Sequence, residues 1–365
     1  LLRGKVLHVN GEPLPGVEIS ILGHPEFGTT LSRADGLFDM VVNGGGDLMA
    51  VYSLASYFTA QRWAATEMAD YVNLPDVMLV QYDSEATTVN LSAASIAQIA
   101  RAGAVMDQDG VRTATLMFPA GTSASLVYED GTAEDMDSLT VRATEYTVGP
   151  NGVKAMPAAL PPASHYTYCV ELSVDEAINA GARSVQFDHI IPFYYENFIG
   201  MPVGTHIPVG WYDRGRGMWV PSTEGRIVSI IGINNGLAEL DVYGGGNPAG
   251  GWELDQLGIT VEELGQLAAL YMPGQELCRI PVSHFTPLDP NFNVVTDADA
   301  VKPVNASPAN SSPEGDGTGT QGPDERSDGR GNNNDGTLSP EKPAKLSRPE
   351  DPCDTGGPKK NPNPT

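Results

Sequence analysis

Residues 3–21 read Arg3-Gly4-Lys5-Val6-Leu7-His8-Val9-Asn10-Gly11-Glu12-Pro13-Leu14-Pro15-Gly16-Val17-Glu18-Ile19-Ser20-Ile21, and they set the class of fold. Apolar residues occupy every second position at Val17, Ile19 and Ile21, which is the period of a strand with one buried face. Asn10-Gly11 is typical of a tight hairpin turn that needs positive φ. The segment therefore predicts short strands joined by glycine turns.

The same turn chemistry continues through Ser32-Arg33-Ala34-Asp35-Gly36-Leu37-Phe38-Asp39-Met40 and then Asn43-Gly44-Gly45-Gly46. Asp35-Gly36 predicts a second turn, and three or four short strands are expected to close into a small antiparallel sandwich. No side chain in this region is an obvious catalyst, so its expected role is structural. The residues predicted to shape the turns are Gly11, Gly16, Asp35, Gly36, Asn43 and Gly44.

Together with the turn His24-Pro25-Glu26-Phe27-Gly28, these motifs resemble the transthyretin-related, carboxypeptidase-regulatory-like domain. They are most similar to the version that precedes the YD-repeat shell in teneurins and bacterial RHS-repeat proteins. The resemblance covers roughly residues 1–80, and we place this first domain at residues 1–82. It implies a β-sandwich with no catalytic residue, cofactor or metal.

The composition of the 365-residue chain favours many short strands and turns over long helices. Only 18% of the residues are charged, whereas glycine (41) and proline (29) are abundant. The net charge of −25 makes nucleic acid and anionic membrane surfaces unfavourable partners. Most of this charge precedes residue 301, because the residues after it carry eight Lys or Arg against ten Asp or Glu.

The cysteines do not identify a cellular compartment. Cys169, Cys278 and Cys353 lack metal-type spacing, and both a Cys169–Cys278 disulfide and two separate buried thiols fit the sequence. No run of about 18 apolar residues occurs, so no membrane span is expected in this segment. The lack of an initiating Met and of a leader leads us to expect a fragment of a longer chain.

Composition divides the rest of the chain into three parts. Residues 83–102, rich in Ala, Ser, Thr and Ile, are expected to form a linker. Residues 103–290 show repeated strand patterns and an amphipathic helix at 260–271, with Thr260 and Glu263 as a capping box. Residues 291–365 are dominated by Pro, Asn, Gly, Asp and Ser and are expected to be disordered. The predicted fold class is all-β, with tandem antiparallel β-sandwich domains and minor helix.

Aromatic residues concentrate in two parts of the second domain. One cluster follows residue 192, and a predicted hairpin with its tip at residues 214–217 carries the other. Trp211 and Trp219 are predicted to face each other across that hairpin. Core packing and an exposed binding surface are both compatible with such residues. The candidate docking aromatics are Phe193, Tyr194, Tyr195, Phe198, Trp211, Tyr212 and Trp219.

The run from Pro202 to Asp213, followed by Trp219-Val220-Pro221-Ser222, resembles the region just before the shell in bacterial RHS proteins. By this resemblance and by position, residues 103–290 are expected to form a plug-like β domain. The resemblance implies a non-catalytic docking unit of a large secreted or cell-surface bacterial protein, toxin-associated or adhesin-like. Its expected partner is the YD-repeat shell of the same parent chain.

The titratable residues form no recognisable catalytic or metal-binding motif. Asp35 with Asp39, and Asp107 with Asp109, lie near glycines as in calcium loops, but neither pair continues to the bidentate Glu of an EF-hand. Turn formation is the favoured role of these aspartates. The alternative function is a free-standing carbohydrate-binding or adhesive module, with a surface glycan or protein as partner.

Overall fold

The architecture is all-β, as predicted from the period-two pattern. The computed structural model describes residues 1–91, 95–161 and 167–291. The expected disordered tail lies outside these residues, apart from Asn291. Within the described ranges, no helix has the length and apolar content needed to cross a membrane.

The first domain contains eight strands and one short 3₁₀ helix, Pro25–Phe27. The strands are β1 (Leu2–His8), β2 (Glu18–Ile21), β3 (Thr30–Leu31), β4 (Leu37–Met40), β5 (Gly46–Ser53), β6 (Ala60–Thr66), β7 (Val72–Asn73) and β8 (Val77–Leu79). They form two four-stranded sheets, one with the order β3-β2-β5-β6. In the other, β1 pairs antiparallel with β4 and parallel with β7 and β8. The expectation of a purely antiparallel sandwich was wrong, because the last strands return to the free edge of β1 after a crossover.

The core of the first domain forms on the face that the period-two pattern predicted. Val17 and Ile19 are fully buried, and Ile21 is nearly so. The Asp35-Gly36 turn is also present, since Asp35 Oδ1 accepts a hydrogen bond from the Leu37 amide at 3.0 Å. The predicted buried strand face and the predicted turn at Asp35-Gly36 are therefore both confirmed.

Gly36 shows why the turn needs glycine. Its φ is +78°, and an added Cβ would lie 2.4 Å from the Val6 carbonyl oxygen. Gly11 and Gly16 also have positive φ. At the Asn43-Gly44 turn, glycine is required by steric contact with the neighbouring backbone, because a Cβ on Gly44 would lie 2.0 Å from the Glu67 carbonyl oxygen.

The second domain contains the remaining seventeen strands and four helices of the described residues. The strands are β9 (Thr87–Asn90), β10 (Gln98–Arg101), β11 (Val105–Asp107), β12 (Gly110–Arg112), β13 (Thr115–Phe118), β14 (Ala124–Val127), β15 (Ala133–Met136), β16 (Ser138–Glu145), β17 (Val170–Val174), β18 (Ser184–Glu196), β19 (His206–Ile207), β20 (Val209–Asp213), β21 (Met218–Pro221), β22 (Gly225–Asn234), β23 (Leu237–Asp241), β24 (Glu276–Phe285) and β25 (Pro287–Pro290). The helices are α1 (Gly152–Ala155), α2 (Asp175–Ala180), α3 (Gly251–Gln256) and α4 (Val261–Leu270).

Two sheets pack face to face in this domain. A six-stranded sheet has the order β21-β20-β25-β17-β16-β9, and a nine-stranded sheet has the main path β10-β13-β18-β24-β22-β19. The shared core includes Val170 and Leu172 from the first sheet and Phe193 and Ile280 from the second. The prediction of a linker at residues 83–102 was wrong, because this segment supplies β9 to one sheet and β10 to the other.

The outer faces of the two sheets are covered by different elements. Helix α4 covers part of the nine-stranded sheet and buries Leu264 and Leu267. The predicted helix is therefore confirmed, and Thr260 accepts the Glu263 amide at 3.1 Å, half of a capping box. The first domain packs against the outer face of the six-stranded sheet, and this contact buries apolar residues of both domains.

Candidate functional site

The two domains meet in an apolar cluster that we call the junction. The first domain contributes residues from β1, β8 and the loop before β6, and the second contributes residues from the outer face of its six-stranded sheet and from the α1 region. Its buried members are Leu7, Phe58, Met78, Val80, Tyr146, Ala155, Met156, Ala158, Leu160, Cys169, Tyr212 and Trp219. The junction therefore resembles a domain core more than a surface contact.

Arg62, on β6 of the first domain, is bound at the end of helix α1 in the second. Its guanidinium donates to the carbonyl oxygens of Lys154 at 2.9 Å, Met156 at 3.0 Å and Pro157 at 3.3 Å. The last carbonyls of a helix lack partners within the helix and carry its partial negative charge. A buried arginine from the neighbouring domain supplies donors to one carbonyl of α1 and to two carbonyls that follow it, which ties this segment to the first domain.

Gln61 connects the first domain to the hairpin β20–β21. The Tyr212 hydroxyl donates to Gln61 Oε1 at 2.7 Å, and Gln61 Nε2 donates to the Arg214 carbonyl oxygen at 3.0 Å. Trp63 Nε1 donates to the Gly217 carbonyl oxygen at 3.3 Å on the same hairpin. The predicted hairpin tip at residues 214–217 is confirmed and contacts the first domain.

Glu171 and Arg214 form an ion pair beside the junction. Arg214 Nη1 and Nη2 lie 3.0 and 2.7 Å from the two Glu171 carboxylate oxygens, and the Tyr146 hydroxyl donates to the same carboxylate. Burial and the Glu171 charge raise the pKa of Tyr146 well above its ordinary value. Tyr146 is therefore a neutral hydrogen-bond donor at physiological pH.

The seven candidate docking aromatics do not form an exposed surface, which corrects that expectation. Five are buried inside the chain and two are half-buried. The buried ones are Phe193, Tyr194, Tyr195, Tyr212 and Trp219, and the half-buried ones are Phe198 and Trp211. Tyr212 and Trp219 do take part in docking, but the surface they contact is the first domain of the same chain.

The period-two geometry of strands explains this burial. Phe193 and Tyr195 point into the core between the sheets, whereas Tyr194 points to the opposite core under α4. In β20, Trp211 likewise contacts the core between the sheets and Tyr212 the junction. Consecutive aromatics mark strands with two buried faces, not a binding surface.

The predicted Trp211–Trp219 pairing was wrong by one residue. In the hairpin, Trp219 lies opposite Tyr212, and their ring centroids are 5.1 Å apart. Trp211 instead packs edge-to-face with His284, at 5.0 Å between ring centroids. A one-residue change of register moves a side chain to the other face, so the two tryptophans belong to different cores.

The residues that build the polar part of the junction, Gln61, Arg62, Glu171 and Arg214, were not predicted as site residues. One signal was present in the sequence, because Glu171 interrupts the apolar strand segment Cys169-Val170-Glu171-Leu172. A charged residue within a buried strand requires a partner of opposite charge. The identity of that partner depends on the tertiary fold.

Asp39 and Asp107, one from each pair considered for calcium, are bound by arginines. Arg3 and Arg33 contact Asp39, and Arg112 donates to both carboxylate oxygens of Asp107, at 2.8 and 2.9 Å. The Arg112 guanidinium holds the pKa of Asp107 well below its ordinary value. Among the described residues, no group of three or more His, Cys, Asp or Glu is placed to hold a metal.

The two described cysteines are separate thiols. Cys169 and Cys278 are both buried and free, so the alternative of two separate buried thiols agrees with the structure. Burial raises the pKa of the Cys278 thiol to about 12 and that of Cys169 well above its ordinary value. Neither is a reactive thiolate at neutral pH.

Replacing Asp289 with asparagine is expected to stabilise the protein at neutral pH. Asp289 is buried on β25, and burial raises its carboxyl pKa well above the ordinary value. The stability that the carboxyl contributes is fully present below about pH 4 and is lost as pH rises toward the folded-state pKa. At pH 7 the Asp289→Asn variant should be more stable than the parent protein, because it does not have to keep a carboxyl group buried.

The measurement is urea unfolding of both proteins from pH 4 to pH 8. The gain in unfolding free energy should shrink toward zero as pH falls to about 4. Asp76→Asn, at an exposed position, is the matched control and should change stability little across this range. A variant that is less stable than the parent protein at pH 7 would contradict the expected effect of Asp289.

Comparison with known proteins identifies the first domain. Residues 1–79 match the family model described as the teneurin TTR-like domain. Similar relatives include teneurin-3 of Mus musculus, 44% identical over 59 residues, and teneurin-1 of Gallus gallus, 31% identical over 93 residues. Teneurin-4 of Homo sapiens is 32% identical over 92 residues. The transthyretin-related, teneurin-like assignment of the first domain is thus confirmed.

These alignments concern a small part of each protein. They cover 16–26% of this chain and 2–3% of the length of the three relatives. They therefore define the type of the first domain and leave the second domain to be interpreted from its structure.

Proposed function

We propose that residues 1–291 are a non-catalytic docking unit of a larger secreted or cell-surface protein. In this proposal the unit packs against and caps a YD-repeat shell in the same parent chain, in a protein of the bacterial RHS type. The teneurin-type first domain supports a structural or adhesive role. The resemblance of residues 202–222 to the region before such shells supports their position next to one.

The observation that carries the proposal is the junction. Its apolar cluster and the cross-domain hydrogen bonds of Gln61, Arg62 and Trp63 fix the first domain on the second. A rigid two-domain unit presents its outer surfaces in one fixed arrangement, which lowers the entropy lost when it docks on a large partner. A flexible pair of domains would lose more freedom on docking.

Because most of the candidate aromatics are buried, the surface that contacts the shell must consist of other residues. Of the four tryptophans, all within the described residues, only Trp252 is mostly exposed, at 71%. It lies on α3, and Val261 and Met272, at either end of α4, are also exposed. We assign the shell contact to the surface around Trp252, which we call the α3–α4 face, because a large exposed tryptophan is typical of an interface anchor.

The test begins with the gene, read on both sides of this segment for Tyr-Asp-containing repeats. The 365-residue chain is then mixed with the repeat segment encoded by the same gene, and binding is measured by calorimetry. Trp252→Ala should weaken binding about 30-fold, since a central tryptophan contributes about 2 kcal/mol or more. Met68→Ala, at a residue 81% exposed on the first domain, is the control.

Two results would overturn the proposal. One is a gene without such repeats, and the other is no measurable binding between the two purified parts. Equal binding by the Trp252→Ala and Met68→Ala variants would remove the α3–α4 face from the proposed contact.

A further inference from the structure

A cavity of about 430 Å³ opens beside the hairpin tip of the second domain. Its walls come from the turn after β14, the start of β18, the hairpin tip itself, and the segment where β24 passes into β25. A volume of this size is in the range of small-molecule sites in proteins. The charges and rings of its lining therefore indicate which kind of ligand it suits.

Two carboxylates converge on Gly215 at the hairpin tip. Asp213 Oδ1 lies 3.4 Å, and both carboxylate oxygens of Glu129 lie 3.9 Å, from the position that a Cβ would take on Gly215. Asp213 is engaged, because it accepts hydrogen bonds from Arg183 Nη2 and from the Arg216 amide, each at 3.1 Å. Glu129 is exposed and, among the residues that the structure describes, forms no ion pair.

The lining is net negative once its ion pairs are counted. Arg183 is paired with Asp213, and Arg214 is paired with Glu171 at 2.7 Å. The two arginines of the lining are thereby neutralised, and the charge of Glu129 remains. A carboxylate without a counter-charge favours a cation in the cavity and disfavours an anion.

Trp211 gives the same cavity an aromatic wall. It is half-buried and packs edge-to-face with His284, at 5.0 Å between ring centroids. Burial lowers the pKa of His284 below its ordinary value, so this imidazole is neutral at physiological pH and does not repel a cation. The face of an indole ring attracts cations more strongly than the face of any other side chain.

We propose that this cavity binds a primary alkylammonium group, with its charge near Glu129 and its apolar stem against Trp211. The three N–H donors of an ammonium suit a carboxylate, and the stem and charge together suit an indole face. The net charge of −25 on the whole chain also favours the approach of a cation. A lysine side chain of another polypeptide and a free amine both carry this group.

The proposal does not rest on shell docking, because the residues that line the cavity lie outside helices α3 and α4. Failure of one proposal would therefore leave the other standing.

The test is a titration of the 365-residue chain with n-butylammonium chloride, measured by calorimetry and by proton NMR of the ligand. Saturable binding is expected with a Kd of about 1 mM, a value suited to a single small ligand. The methylene protons of the ligand should shift upfield, because they lie over an aromatic ring. Neutral n-butanol and anionic butyrate should each bind at least about tenfold more weakly.

A second ligand, N-acetyl-lysine methylamide, presents the same group as it occurs in a polypeptide. Binding as tight as that of butylammonium would support a lysine side chain as the source. Binding at least about tenfold weaker would support a free amine. The neutral norleucine analogue of this ligand should not bind in either case.

Variants locate the binding. Glu129→Gln should weaken butylammonium binding about tenfold, because it removes a hydrogen bond between charged groups. Glu134→Gln is the matched control, since Glu134 is an exposed residue of the neighbouring strand β15 and does not line the cavity. Trp211→Leu should abolish the upfield shift and weaken binding about threefold. Thermal unfolding checks that each variant is folded, and Glu129, being exposed, can be replaced without disturbing the core.

Three results would overturn the proposal. The first is the absence of saturable butylammonium binding. The second is equal loss of affinity in Glu129→Gln and Glu134→Gln, which would show general attraction to an acidic surface. The third is butyrate binding as tight as butylammonium binding. Reduced affinity in Glu129→Gln with the parent affinity in Glu134→Gln supports it.

Discussion

Replacing Arg279 with methionine is expected to destabilise the protein by about 3–5 kcal/mol. Arg279 and Glu263 are 4% and 3% exposed and join β24 to α4. Arg279 Nε and Nη2 lie 2.7 and 3.0 Å from the two carboxylate oxygens, and the Tyr194 hydroxyl donates to the carboxylate at 2.5 Å. Without the arginine, the Glu263 carboxylate would remain buried without its opposite charge.

Urea unfolding of the variant, compared with the parent protein, measures this loss. Arg33→Met is the matched control, because Arg33 is half-exposed and its solvent-screened pair with Asp39 should contribute little to stability. A double variant, Arg279→Met with Glu263→Leu, should recover much of the stability, since no unpaired charge remains. A loss below about 1 kcal/mol in the single variant would show that the buried pair is not needed.

Truncating Trp219 to alanine is expected to cost a similar amount, about 3–5 kcal/mol, and to loosen the junction. Trp219 is 5% exposed, packs against Tyr212, and donates from Nε1 to the Ala159 carbonyl oxygen at 3.0 Å. Its removal leaves a cavity in the apolar cluster and an unpaired carbonyl. Trp252→Ala removes the same side chain at a position 71% exposed, so it should change stability by less than about 0.5 kcal/mol.

Denaturant unfolding measures the loss of stability, and limited proteolysis measures the loosening of the junction. The Trp219→Ala variant should unfold at lower urea concentration and be cut first near residues 80–86, where the chain passes from one domain to the other. The Trp252→Ala variant should behave like the parent protein in both measurements. If Trp219→Ala loses stability but gains no protease sensitivity at that position, Trp219 supports the second domain and not the junction.

Local patterns in the sequence were sufficient to predict much of the fold. Alternation at Val17, Ile19 and Ile21 defined a buried strand face, and Asp35-Gly36 marked a turn that is present in the structure with Gly36 at positive φ. Thr260 and the apolar spacing after it defined helix α4. These features are encoded by residues close together in the chain, so a single sequence is enough to predict them.

Long-range contacts account for what the sequence did not reveal. An aromatic run such as Phe193-Tyr194-Tyr195 looks the same whether its second face meets solvent or another core, and here that face is covered by α4. Residues 83–102 lack strong alternation, yet they complete two sheets because edge positions were free for β9 and β10. The partners of Arg62 and Glu171 lie about 95 and 43 residues away in sequence, beyond the reach of any local pattern.

The positions of β24 and β25 determine when the second domain can fold during synthesis. These last two described strands occupy interior places in their sheets, β24 between β18 and β22 and β25 between β20 and β17. The first domain leaves the ribosome first, whereas the second cannot complete its two sheets until residue 290 has been made. During that interval its unpaired strand edges are exposed, so synthesis and folding of this domain are the steps at which aggregation or chaperone binding is expected.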